Sequence, residues 1–205
     1  MPRSPTSIDR MPAGLSRRLM LGGVALASLL ALGACGTPAP PATFDLSAPR
    51  DGLVRGRGVG TMVVMEPVAL QAYDDDKIVV RGANGALSIL GGAQWADRLP
   101  KLIQVRIVQT FENAARFKQV GYPSDRLNPT YTLVSEIRRF EVEQASREAV
   151  VELSVKFVRS GSGDIAGGRI FSARAPVASI DGPGAAVALQ AALGDVLRQI
   201  AAFKG

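Results

Sequence analysis

The chain has 205 residues, 47% of them hydrophobic, and a formal charge of +6 from 24 Lys and Arg against 18 Asp and Glu, with one Cys and no His. The missing histidine excludes Ser-His-Asp hydrolases, Cys-His proteases, His-ligated zinc and histidine-based acid–base catalysis. A single cysteine excludes an internal disulfide or Cys-rich metal site, and the length suits one globular domain with an accessory segment.

The accessory segment comes first. Leu19 to Ala34 is a run of apolar and small residues, preceded by Arg17-Arg18 and followed by Cys35, which is the pattern of a secretory signal. The run is shorter than the ~20 residues that a spanning helix usually needs. Leu32-Gly33-Ala34-Cys35 looks like a bacterial lipobox, so residues 1–34 read as a lipoprotein signal peptide and Cys35 as the acylated first residue of the mature chain. The expected covalent groups are a diacylglycerol and an N-acyl chain on Cys35; no other cofactor or metal is expected. Several acyl chains hold a protein to a membrane far more firmly than one. Ser16 to Leu21 also resembles a twin-arginine export signal, and a plain basic n-region accounts for the same arginines. Residues 1–34 hold four of the basic residues and one acidic residue, so the rest carries 20 against 17, or +3. Those charges are scattered, with no basic stripe interleaved with aromatics, and no nucleic-acid partner is expected.

Residues 35–43 read as the lipidated Cys and a Pro-rich tether, semi-rigid and unable to pack, with a reach of about 3 Å per residue. The globular pattern, residues 44–205, starts at Phe44. Gly52 to Gly60 reads as a flexible loop, and Thr61 to Val68 as the first strong strand. The loop's Gly56-Arg57-Gly58-Val59-Gly60 has the glycines of a phosphate cradle, but a strand follows where such a loop needs a helix. Asp74-Asp75-Asp76 lacks the Gly and distal Glu of a calcium loop and reads as a solvated turn. Lys77 to Arg81 and Leu87 to Leu90 flank an Asn84-Gly85 turn, which predicts a β-hairpin.

Asp97 is a candidate helix cap, and Leu99, Ile103, Ile107, Phe111 and Ala114 recur at helical spacing, predicting one amphipathic helix over about 98–116. A short extra strand is expected near 118–121. Tyr131 to Val142 is strand-like, but its apolar phase shifts between Ile137 and Phe140, which a β-bulge at Arg138-Arg139 explains. Val151, Leu153, Val155 and Phe157 alternate with Glu152, Ser154 and Lys156, so this strand has one solvated face. Phe171, Ala173, Ala175 and Val177 form a second period-2 set, and residues 183–203 a final helix with Leu189, Leu193, Val196, Leu197 and Ile200 on one stripe.

Amphipathic strands with two helices predict an α+β fold: a two-layer sandwich, with a mostly antiparallel or mixed sheet carrying both helices on one face. The other face is solvated or meets a partner. Glu141, Glu143 and Glu148 do not define the cleft that a carboxylate pair would need for glycoside hydrolysis, and no catalytic residues are expected. Arg138 and Arg139 are candidate contacts for acidic headgroups or a partner's carboxylates. Trp95 is a candidate for packing over the helix start or for partner or lipid contact.

The chain resembles the ABC-type transport auxiliary lipoprotein family over about Phe44 to Phe203. The likeness is carried by Phe44-Asp45-Leu46-Ser47, by Lys77 to Arg81, by Leu133 to Phe140 and above all by Gln94-Trp95-Ala96-Asp97-Arg98-Leu99-Pro100. The resemblance implies a periplasm-facing lipoprotein that accompanies ABC systems containing MCE-domain subunits, with phospholipid or another hydrophobic molecule as cargo. It carries over Cys35 as the lipid attachment and Trp95, Asp97 and Arg98 as candidate contacts, with no catalytic residues. Gly36, in place of Asp, implies outer-membrane sorting. The expected role is docking of an MCE subunit to the membrane, with self-association through an exposed strand edge as a further expectation. The rival roles are a lipid carrier and a structural lipoprotein of another envelope complex.

Overall fold

The computed structural model describes residues 39–204, and the leader, the lipobox and Cys35 lie outside them. No helix among the described residues is long and apolar enough to cross a membrane. The fold is α+β, with two helices and a curled mixed sheet of nine strands: β1 (Ala42–Phe44), β2 (Thr61–Val64), β3 (Val68–Ala69), β4 (Lys77–Arg81), β5 (Leu87–Trp95), α1 (Leu99–Ala114), β6 (Gln119–Gly121), β7 (Tyr131–Glu143), β8 (Glu148–Arg159), β9 (Ile165–Pro176) and α2 (Gly182–Ala202).

Strand β7 organises the sheet. One edge pairs antiparallel with β8, which pairs antiparallel with β9. The other edge takes β2, β3 and β4 in turn, all parallel, at Tyr131 to Leu133, Glu136-Ile137 and Glu141 to Glu143. The bulge lies where the apolar phase shifts: Ile137 pairs with Leu153 and Arg139 with Glu152, leaving Arg138 as the extra residue. Leu133, Ser135 and Ile137 before it, and Phe140 and Val142 after it, are therefore all buried. Without the extra residue a period-2 strand would turn one of these sets outward.

The helices cover that inner face. From α1, Leu102, Ile103, Ile107 and Phe111 are buried, and from α2, Leu189, Leu193, Val196, Leu197 and Ile200. Small residues on α2, including Ala185, Ala188 and Ala192, let its backbone approach the layer beneath. Phe111 meets Phe157 edge-on at 6.2 Å, and Gln104 Nε2 donates to the Val64 carbonyl at 2.9 Å, so α1 is fixed over β8 and β2. Asp181 caps α2 by accepting from Gly184 N–H at 2.8 Å.

Four expectations are corrected. Thr61 to Val68 is not one strand: it breaks into β2 and β3 around Pro67, which has no N–H for the ladder. Residues 42–43 stay exposed but join the sheet, because beyond Pro41 the backbone regains its donors and β1 pairs in parallel with Ala93 to Trp95. Strand β5 runs past Leu90 to Trp95 through an irregularity at Gly91-Gly92, where Gly92 takes φ of 72°. The cap position of α1 is Arg98 rather than Asp97, and no side chain caps it.

Trp95 ends β5 inside the core, 1% exposed, with its ring edge-on to Phe140 at 5.8 Å. Its contact role is corrected by this burial, because the indole presents no surface to a partner. Nε1 has no acceptor among the described residues. Trp95→Ala should therefore cost about 3–5 kcal/mol and Trp95→Phe distinctly less, since the latter keeps an aromatic ring and forfeits no hydrogen bond. Urea unfolding monitored by circular dichroism measures both.

Candidate interaction face

The motif around Trp95 is a clamp. Trp95 N–H donates to the Asp76 carbonyl at 2.7 Å and Leu99 N–H to that of Asp75 at 3.0 Å, while Ala96 N–H holds Phe44 at 2.8 Å. Arg98 adds side-chain bonds to Asp74, with Nε at 3.1 Å, and an ion pair to Glu66 at 3.1 Å. These pairs push the Arg98 guanidinium further up from its ordinary value, Asp74 contributing most. Asp97 accepts from Lys101 at 2.7 Å and from Arg98 N–H at 2.8 Å, and both hold its carboxyl below the usual range. Asp97 and Arg98 are thus brought together with the acidic turn 74–76, where their side chains serve local geometry. The glycine loop is occupied in the same way: Gly56, Gly58 and Val59 donate their N–H groups to the carbonyls of Ala114, Ala115 and Arg116 at the end of α1.

The two arginines of the bulge stand side by side on the outer face but differ in company. Arg138 is exposed, 3.6 Å from Glu152. Arg139 turns into a network centred on Glu141, whose side chain is fully buried although it belongs to the outer face. Glu141 accepts from Tyr73 Oη at 2.6 Å, from Arg81 Nε at 2.7 Å and Nη2 at 3.0 Å, and from Arg139 Nε at 2.8 Å. Arg139 also reaches Glu143 at 3.0 Å, and Arg174 joins Glu143 at 2.9 Å to Glu148 at 2.8 Å. The network ties β4, β7, β8 and β9 together.

Burial alone pushes the Glu141 carboxyl up, but the donors from Arg81, Tyr73 and Arg139 outweigh it and hold the group below its ordinary value. Burial, then the bond to Glu141, pushes the Tyr73 hydroxyl up to about 12, so it remains a donor. Glu143 is brought down to about 2, chiefly by Arg174 and then by Arg139 and Ser146. All members are paired, so the cluster is a brace with no acid–base pair poised for chemistry.

The sequence singled out Arg139 and the three glutamates separately, without joining them, and did not point to Tyr73 and Arg81, which lie 68 and 60 residues from Glu141. The remaining signal was a carboxylate within a strand flanked by apolar positions.

Beyond the brace the outer face is open. Val134 and Glu136 of β7 stand opposite Lys156 and Ser154 of β8, which stand opposite Gly168 and Ile170 of β9. Val68 of β3, 66% exposed, borders a shallow hollow of about 230 Å³ with Val134, Ser154 and Lys156. This face mixes both signs of charge with exposed aliphatic side chains. Among the described residues, Leu87 to Gly91 have β4 as their one strand partner, with Ile89 62% exposed, and β9 has β8 alone, with Gln199 of α2 donating to its Ser172 carbonyl at 3.1 Å.

Residues 44–201 match the family of ABC-type transport auxiliary lipoprotein components. The chain belongs to that family. It is 27% identical over 203 residues to the uncharacterized protein bll6063 of Bradyrhizobium diazoefficiens, a match that covers 97% of this chain and 50% of that protein, so the chain spans about half the length of the curated relative. Among solved structures it is similar to XCC0632 from Xanthomonas campestris, of the family DUF330, with a TM-score of 0.69 and 23% identity over 78% of this chain and 92% of that one. A second uncharacterized protein aligns with a TM-score of 0.63 and 13% identity over 79% of this chain and 97% of its own. Both share the fold. In this auxiliary lipoprotein the family match covers the clamp, the brace and the open face together.

A carboxylate with a depressed pKa stabilises the folded state above its unfolded value, and that stability is lost as the pH falls through the folded value. Glu143 places this window between an ordinary 4.5 and about 2, with Glu141 titrating in the same direction. Unfolding free energy should therefore fall as the pH drops from 4.5 toward 2. At neutral pH, Glu141→Ala should cost about 1–3 kcal/mol by removing the acceptor shared by Tyr73, Arg81 and Arg139, of which Arg139 keeps Glu143 and both arginines keep partial access to water. Urea titrations across that pH range measure both effects.

Proposed function

We propose that this chain is a non-enzymatic, membrane-anchored auxiliary lipoprotein of an ABC/MCE transport system, which supports movement of phospholipid or another hydrophobic substrate by docking the MCE subunit to the membrane. The family match supports the transport role. The observation that carries the docking role is the open outer face of β7, β8 and β9, which alternates charge and exposed aliphatic side chains while both helices occupy the opposite face. Burial of such a mixed surface suits a specific but non-obligate partner. Cys35, acylated with diacylglycerol and an N-acyl chain, is the anchor in this reading, and the outer membrane is the destination that Gly36 favours.

The edge of β5 at Leu87 to Gly91 offers backbone groups to an added strand, from the partner or from a second copy, whereas β9 is already engaged at Ser172 by Gln199 of α2. The lipid-carrier rival needs a cavity between the layers. Instead that interface is filled by Ile103, Ile107, Phe111, Phe140, Leu189 and Leu193, all essentially fully buried.

Photo-crosslinking from Lys156, Arg138 and Ile170 in intact envelopes, with mass-spectrometric identification of adducts, tests the reading. The expected result is an MCE-domain subunit captured from these outer-face positions and absent from controls at Gln199 on α2. Capture of an unrelated envelope protein, or of lipid alone, would overturn the docking role.

A further inference from the structure

Both helices end at one rim of the sheet. A cleft of about 290 Å³ opens there, lined by Val59, Arg116, Phe117, Tyr131, Phe157, Arg159, Ala166 and Lys204. Among the described residues its walls hold three cations and no carboxylate. None of the three forms an ion pair among the described residues. Arg50, Arg55, Arg57, Lys118, Arg126, Arg147, Lys156 and Arg169 are also without an ion pair among the described residues, so what distinguishes Arg116, Arg159 and Lys204 is that they line one cleft.

Arg116 is the informative member. It follows Ala115, the left-handed residue that ends α1, and its Nη1 donates to the Ala201 carbonyl at the end of α2 at 2.6 Å. Its guanidinium lies 5.8 Å from the Phe117 ring centre and 5.9 Å from that of Phe157. Burial draws its pKa below the ordinary value, with no acid opposing the shift. Desolvation of this cation carries an electrostatic cost that the two rings and the Ala201 carbonyl offset in part and a bound anion would offset further. The floor is apolar: Phe117 packs between Phe111 at 5.4 Å and Tyr131 at 6.3 Å, and Phe157 against Phe203 at 5.8 Å.

The glycine loop completes the rim. A Cβ at Gly56 would lie 2.5 Å from the Arg116 Cα, so only glycine lets the loop hang on the end of α1. That attachment holds Val59, 71% exposed, at the mouth. β1 and the start of α2 meet at Phe44 and Gly182, at the end of α2 away from the cleft. The 21 residues of α2 then run about 30 Å to the cleft.

We propose that this cleft binds an anionic amphiphile, with a phosphate or carboxylate headgroup among Arg116, Arg159 and Lys204 and the start of an acyl chain on Phe117, Tyr131 and Phe157. The volume is at the low end for small-molecule sites, so it holds the headgroup and the first part of a chain and leaves the remainder outside. The proposal stands independently of the docking face, which occupies a different surface.

The test is photolabelling of the acylated full-length protein in phosphatidylcholine nanodiscs with a short-chain, diazirine-bearing phosphatidic acid, with adducts mapped by mass spectrometry. Labelling should concentrate on peptides containing Phe117, Tyr131 and Phe157. Unlabelled dihexanoylphosphatidic acid should compete at least tenfold better than dihexanoylphosphatidylcholine or inorganic phosphate. Arg159→Glu and Lys204→Glu, both exposed and unpaired among the described residues, should each cut labelling about tenfold with the thermal midpoint unchanged. Labelling spread over the whole surface, competition by inorganic phosphate equal to that of the lipid, or full labelling of both variants would overturn the proposal.

Discussion

One extra residue in β7 governs the molecule. That strand takes three parallel strands on one edge and a long antiparallel partner on the other, so its two faces become those of the whole sheet. Side chains alternate with a period of two, and the strand is thirteen residues long. The bulge at Arg138 lets Leu133 and Ile137 on one side, and Phe140 and Val142 on the other, reach the same core. It also sends two consecutive arginines outward. The inner layer, the outer face and the charge brace all follow from that local insertion.

The brace shows how a sheet face can be polar and still partly buried. Glu141 would be costly beneath its neighbours if it were unpaired, and its four short hydrogen bonds offset that cost. Because Arg81 comes from β4, Arg139 from β7 and Arg174 from β9, the network joins strands that are far apart in sequence. The clamp around Trp95 acts similarly at the start of α1, where backbone donors seize the carbonyls of an acidic turn. Both devices stiffen the scaffold on which the open face is displayed.

Features that depend on local periodicity were legible in the sequence. The phase slip between Ile137 and Phe140 marked the bulge, Asn84-Gly85 marked the hairpin, and apolar stripes marked helices over about 98–116 and 183–203, which the structure places at Leu99–Ala114 and Gly182–Ala202. Features that depend on distant partners were not. Nothing near Glu141 announces Tyr73 or Arg81, and an outward position in an amphipathic strand reads as solvated. Trp95 left packing and contact open until β5 was found to carry it into the core against Phe140. The cationic cleft was invisible for the same reason: Arg116 follows α1, Arg159 ends β8 and Lys204 follows α2, and they converge only where the helices end.

An open sheet face on one side, a filled helix layer on the other and a cationic cleft at the rim give this member of the family three distinct surfaces. Their separation rests on the phase of β7. Hydrogen exchange and urea unfolding of a variant lacking Arg138, compared with Arg138→Ala, tests that claim most directly. The account predicts that Arg138→Ala unfolds cooperatively within about 0.5 kcal/mol of the parent, as surface substitutions do, and that the deletion loses slow exchange throughout β7 and β8. A deletion variant with parental protection and stability would contradict it.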